Sequence, residues 1–325
     1  MKQKFLLLIL LPVILASCSN SLIDNKAFGQ EIKSKDIIKD LDSGKSIYIE
    51  NATIIGDLNF TVLKNKDLEN KKAFKIYFDQ SICFVNCTFT GKVSCSGFDK
   101  DNNLVRASFL KSVIFNKCIF KEDANFKESD FQGTIDFSQS IFEKKADFSN
   151  SYFNNKDILF NEISFNDEAL FSNSYFMANV TFFKTFFKKP TYFQNAVFSG
   201  NALFASSTFT EYADFSSATF NGVFNLNYAK FSKAALFNYV RFFGRADFTQ
   251  TGFLFKSEFK ETVFMGKTRF IETEFSGKTE FIDTFFAYGL PDQEKLKQKK
   301  GAEFVFNNVR ANNIPVVPVF DFSIL

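Results

Sequence analysis

The chain of 325 residues contains no histidine. That removes the commonest general base, the usual activator of a serine or cysteine nucleophile, and the commonest metal ligand. No C-x-x-C pair stands in for it, so neither a metal site nor any other cofactor is expected. The chain has no G-x-S-x-G elbow, phosphate loop or dinucleotide fingerprint. Tryptophan is absent as well, against 50 phenylalanines. A bias of that size is accounted for by an interior built from one kind of ring. Net charge is small, +3, with no basic patch, which argues against a nucleic-acid partner. Acidic residues are abundant but interleaved with lysine, as in KSEFKETVFMGKTRFIETEF at 256–275, and read as a solvated face. No carboxylate pair stands out, and catalytic residues are expected to be none.

What is present is rhythm. From Phe109 to Phe286 a phenylalanine recurs at alternating steps of six and five residues, as at 109, 115, 120, 126, 131, 137, 142, 148 and 153. One extra residue intervenes before Phe160, and Leu226 is the single beat that is not phenylalanine. A second beat, two residues earlier, holds small or β-branched residues: Ala107, Val113, Cys118, Ala124, Ser129 and onward, including Thr262, Thr268, Thr273, Thr279 and Thr284. Its one large occupant, Phe224, precedes Leu226. Ring and aliphatic have traded places, as close packing in one interior demands, so both beats are expected to point inward. Repetition with one apolar and one polar side per unit marks a solenoid. A helix is excluded, because a mean step of 5.5 drifts around 3.6 residues per turn.

Units such as ADFSN (146–150) and SYFNN (151–155) resemble the pentapeptide-repeat family, whose units read A-(D/N)-(L/F)-x-x. The resemblance covers residues 84–286. It implies an all-β fold, a right-handed quadrilateral β-helix with one unit per side. The chain departs from the pattern by one added residue after every second unit, giving about 22 residues per coil and alternate corners of a different kind. Nine to eleven coils are expected. Some cytosolic members of the resembled family mimic DNA through an acidic surface; a near-neutral chain does not match that role. Nor do inward threonines match an ice-binding face.

Residues 1–17 read as an export leader, with Lys2 and Lys4 before FLLLILLPVIL, a run too short to span a bilayer. Leu15-Ala16-Ser17-Cys18 resembles the bacterial lipobox, which implies cleavage before Cys18 and a lipid on its sulfur. Two or three acyl chains make a stable membrane anchor. Ser19 in place of Asp favours the outer membrane, facing the periplasm. Loss of the leader lowers the net charge from +3 to +1.

Residues 18–30 are expected to form a tether. Residues 31–46 should form a cap helix with Ser34 at its start and Gly44 at its stop. The solenoid is expected over 47–286, with a loop near 61–72 and a protrusion near 96–103. A cap is expected at 287–325, where PDQEKLKQKK reads as helix or loop and Phe304, Phe306, Val309, Val316, Val317, Val319, Phe320 and Phe322 supply apolar cover. A homodimer through this segment is the second reading. Of the remaining cysteines, Cys87 and Cys118 fall on the minor inward beat, Cys95 falls on the major one, and Cys83 should face outward. Their redox state stays open because the stacking register across 96–103 is not legible.

The function expected is a lipid-anchored, non-catalytic scaffold in the cell envelope, meeting a protein or glycan. The competing reading is a carbohydrate-active or sugar-binding protein using a surface groove. Tyr152, Tyr175, Tyr192, Tyr212, Phe183, Phe186, Phe243, Phe255 and Phe285 lie off the core beats and would form its stacking strip. Several on one face beside paired carboxylates would favour the second reading; dispersal favours the first.

Overall fold

A computed structural model describes residues 29–64, 66–70, 72–154, 157–312 and 314–315. The expected leader, Cys18, most of the tether and the valines and phenylalanines from 316 onward lie outside those residues.

Two inward side chains per unit and a turn after each unit close the chain into a four-sided coil. Each side is a strand of two residues in most coils, and successive coils pair in parallel about 22 residues apart, as Phe120 with Phe142 and Ala124 with Ala146. Among the described residues the four faces hold 10, 12, 11 and 14 strands. Face 1 runs from Ile47–Glu50 to Thr268–Arg269, and face 2 from Gln30–Lys33 to Lys297–Gln298. Face 3 runs from Leu58–Asn59 to Glu303–Asn307, and face 4 from Asp67–Asn70 to Ile314–Pro315. The chain visits them in the order 1, 2, 3, 4. The stack is longer than the nine to eleven coils expected, because twelve strands line face 2. At about 4.8 Å per coil that face is about 53 Å tall.

Both beats point inward. Every phenylalanine of the major beat from Phe109 to Phe286 is at most 1% exposed. The rings form files along the axis: Phe120 and Phe142 are 4.4 Å apart at 3°, Phe153 and Phe176 4.7 Å apart at 0°. Across the coil, rings meet edge to face, as Phe137 and Phe148 do at 82°. Offset stacks and edge contacts are the two arrangements the ring quadrupole favours. Phe224 and Leu226 are both fully buried. The ring of Phe224 lies 5.9 Å from Phe204 and 5.8 Å from Phe248, bridging the file that Leu226 interrupts.

Corners alternate in kind, as the extra residue led us to expect. At the five-residue steps one turn residue takes a left-handed backbone, among them Glu128, Gln139, Asn150, Tyr228 and Tyr239, with φ of 56–62°. The next residue is a buried hydroxyl, small or β-branched side chain in the regular coils. Ser140 Oγ donates to the Phe115 carbonyl at 2.5 Å, Thr185 Oγ1 to Phe160 at 2.6 Å and Ser207 Oγ to Phe182 at 2.6 Å. These bonds reach a carbonyl in the preceding coil. They explain why half of the minor beat tolerates Ser and Thr deep in an apolar core, where an unpaired hydroxyl would be costly.

The ends differ from expectation. Strand Gln30–Lys33 already pairs with Ala52–Ile55, so the first coil begins at the last residue of the expected tether and takes the first three residues of the segment expected as cap helix. Helix α1 (Ser34–Asp42) follows it and buries Ile37 and Leu41 against the axial core. Because the strand holds the chain extended through Lys33, that residue occupies the cap position without a side-chain bond, and Ser34 is the first helical residue. Gly44, at φ 82°, ends the helix as expected. Residues 61–72 are not a plain loop, and 96–103 is not a simple protrusion. Asp67–Asn70 and Ser96–Phe98 fold back antiparallel on the six-residue strands Ala73–Phe78 and Leu104–Phe109 of face 4. Backbone N–H groups of Asp101 and Asn103 donate to Asp99 and close the second hairpin. Likewise 296–311 is a further irregular coil rather than a separate cap, with Leu296, Val309 and Ala311 buried.

Candidate functional site

With the interior filled by rings, a ligand can be met only at the outward positions. The densest constellation is on face 3, where Tyr192, Asp214, Leu236, Glu258 and Glu280 occupy one register position in successive coils. The strand places each side chain outward by the two-residue alternation. Long neighbours then cover the carboxylates: Asp214, Glu258 and Glu280 are 6%, 8% and 6% exposed.

Asp214 accepts from Tyr212 Oη at 2.7 Å and from Gln194 Nε2 at 2.9 Å. Burial, together with the Asp214 carboxylate that takes its hydrogen bond, pushes the Tyr212 phenol well above its ordinary value. Glu258 is bonded to Lys256, to Lys260 at 3.2 Å and to Asn238 Nδ2 at 2.8 Å. Glu280 is bonded to Lys278 at 2.7 Å and to Lys260 at 2.9 Å. Burial opposes ionisation of both, but the lysines outweigh it, so the Glu258 carboxyl sits low and that of Glu280 is held down to about 2. The Glu280 carboxylate in turn raises Lys260 and Lys278.

Glu258 and Glu280 are thus a carboxylate pair that sequence reasoning missed. The signal was present: K-S-E-F at 256–259 and K-T-E-F at 278–281 repeat at the coil period of 22. Glycoside hydrolysis needs one carboxyl kept protonated as the acid. Here both are held ionised, which suits an ion-pair ladder and not an acid–base pair.

The off-beat aromatics are dispersed. Tyr152, Tyr175 and Phe285 are on face 4, Tyr192 on face 3 with Tyr212 beside it, and Phe186 on face 2. Phe183, Phe243 and Phe255 lie between strands, at corners. Two pairs do meet. Tyr152 and Tyr175 stack at 4.8 Å and 2°, both exposed, and Tyr192 and Tyr212 approach to 5.9 Å at 59°. A shallow cleft of about 350 Å³ opens between Asp283, Thr284, Phe285, Asn308 and Arg310.

The cysteines cluster where the register was illegible. Cys83 is on the outer side of face 1, as expected, yet is only 2% exposed because Ile114, Tyr48 and Val85 pack around it. The four cysteines among the described residues are buried thiols. Among the described residues no group of acidic and cysteine side chains could hold a metal ion. Thr262, Thr268, Thr273, Thr279 and Thr284 are inward and buried, as expected.

No curated protein and no solved structure matches the chain. A family model described as pentapeptide repeats (9 copies) matches residues 104–151. Its span begins on the hairpin strand Leu104–Phe109 and runs into the regular coils, and the match supports the pentapeptide-repeat family for this chain.

Proposed function

We propose that the protein is a lipid-anchored scaffold of the bacterial cell envelope. A diacylglycerol on Cys18 would hold it to the outer membrane, facing the periplasm, while the rod presents ladders of polar side chains to a protein or an envelope glycan. The fold is in general that of a non-catalytic, scaffold-like module, and the observation that supports this use is the ion-pair ladder on face 3. Glu258 and Glu280 are tied to lysines and held ionised, so the most developed side-chain cluster is spent on cohesion between coils. Face 3 ends at Glu303–Asn307 among the described residues, an edge that suits pairing with a second copy.

The test is labelling in cells with an alkynyl fatty acid, followed by fractionation and crosslinked pull-down. Acylation lost in Cys18→Ala, with the wild-type chain in the outer membrane and a partner recovered, supports the proposal. An unacylated chain recovered alone sinks it. A second reading, glycan binding, has one observation in its favour: the stacked, exposed Tyr152–Tyr175 pair. Loss of polysaccharide retention in a Tyr152→Ala, Tyr175→Ala chain would support that reading, and new reducing ends would indicate an enzyme.

A further inference from the structure

The minor-beat position that follows each left-handed corner between faces 1 and 2 forms one file down the rod: Ala52, Cys87, Cys118, Ser140, Ile163, Thr185, Ser207, Ala229, Thr251, Thr273. At most levels the occupant is a hydroxyl or a small apolar group. At two consecutive levels it is a thiol. Thr88 and Phe89 pair in register with Ile119 and Phe120, and Ile119 N donates to the Cys87 carbonyl at 2.8 Å. Cys87 and Cys118 are therefore direct neighbours across one coil step, about 4.8 Å between backbones, within the Cα range of a disulfide. Each thiol makes a weak contact to a carbonyl of a preceding strand, Cys87 Sγ to Ile49 O at 3.5 Å and Cys118 Sγ to Phe84 O at 3.4 Å.

The other two cysteines are differently placed. Cys83 is on the outer side of face 1, in a cluster separate from the axial core. Cys95 is on the major beat of face 3, and the residue at its position in the next coil is Phe126, since Val93 and Ser94 pair with Ala124 and Asn125.

We propose that Cys87 and Cys118 are a cross-linking site that staples two coils of the rod through a disulfide. The reaction is exchange with a disulfide oxidant. One thiolate attacks the oxidant and releases one small thiol; the second thiolate displaces the other. The protein gives up two electrons and two protons, and the oxidant leaves as two thiols. Both sulfurs are at most 1% exposed, so the exchange belongs to folding, before the coils close over it. The bond would close a 31-residue segment that contains the hairpin near 96–103, an irregular stretch of the stack. This inference stands whether or not the chain is exported, because the oxidant is supplied from outside.

The test uses the purified full chain, unfolded and refolded with oxidised and reduced glutathione, then alkylated in denaturant and digested without reduction. The expected product is a peptide pair joining Cys87 to Cys118, two hydrogens lighter than its parts, with Cys83 and Cys95 alkylated. The oxidised chain should melt roughly 5 °C higher than the reduced one. Cys118→Ser should fold normally, because serine holds the same file at Ser140 and Ser207, and should show neither the cross-link nor the rise. Thiols or glutathione adducts at both positions, or a bridge engaging Cys83 or Cys95 instead, would overturn the proposal.

Discussion

The exchange of size between positions 224 and 226 sets a quantitative test of the core. Phe224 is fully buried, and its ring centre lies 4.3 Å from Phe220, 5.1 Å from Phe242 and 5.9 and 5.8 Å from Phe204 and Phe248. Truncation to alanine removes a ring from the middle of the rod, and Phe→Ala in a core costs about 3–5 kcal/mol. Leu226→Phe alone adds a ring to a coil already filled by Phe224 and should cost about 1–3 kcal/mol. Combined, the two changes restore the pattern of the neighbouring coils, alanine on the minor beat and phenylalanine on the major. The Phe204–Phe248 file would again be continuous. The double variant should lie within about 1.5 kcal/mol of the wild type, so the coupling should be at least about 2.5 kcal/mol. Urea unfolding followed by far-UV circular dichroism suits a chain without tryptophan, and midpoints are to be compared at unchanged slope. A double variant as unstable as the sum of the two singles would mean that 224 and 226 do not share one space, and the reasoning would fail.

Four further outcomes are expected. Tyr228 holds a left-handed backbone, φ 62°, that asparagine and glycine adopt with less strain, so Tyr228→Asn should raise the urea midpoint by the equivalent of about 0.5–1 kcal/mol. An alanine Cβ at Gly244 would lie 2.1 Å from the Gly222 carbonyl oxygen, so Gly244→Ala should cost about 1–3 kcal/mol. Gly252→Ala, where the Cβ meets nothing nearer than Leu254 at 3.6 Å, should be close to neutral in the same assay. The folded pKa of Glu280, about 2, is below the unfolded 4.5, so its stabilising effect is complete above pH 4.5 and is lost as pH falls towards 2. Glu280→Gln should flatten stability against pH in that window, and equal slopes in both chains would show that the lysines around it do not act as argued.

Most of the coil was legible because one constraint repeats. A two-residue strand with one inward ring leaves a period that no other architecture reproduces, and the Phe224–Leu226 exchange even betrayed which positions share volume. What escaped was whatever depended on a partner one coil away at an unknown register. Ser140 and Thr185 read simply as small residues, whereas their place is set by the carbonyls of Phe115 and Phe160. The hairpins at 67–78 and 96–109 were hidden because antiparallel pairing against an irregular coil leaves no periodic trace. The last coil was hidden for a related reason, since Lys297–Gln298 and Arg310–Ala311 carry no ring and its two phenylalanines, Phe304 and Phe306, fall off the beat of the others.

The same logic bears on function. In a solenoid the inward positions answer to packing, and the outward ones are free to vary, so activity would have to appear as an outward departure from cohesion. On face 3 the departure from a solvated surface is large: three buried carboxylates within four coils. Yet each is met by a donor from its own coil or an adjacent one. Tyr212 and Gln194 meet Asp214, and Lys256, Lys260 and Lys278 meet Glu258 and Glu280. A site prepared for a ligand keeps an unpaired group aimed at the space the ligand will fill. A ladder whose charges are answered internally strengthens the stack along its axis instead, which is the property a rigid spacer requires and a reaction centre does not.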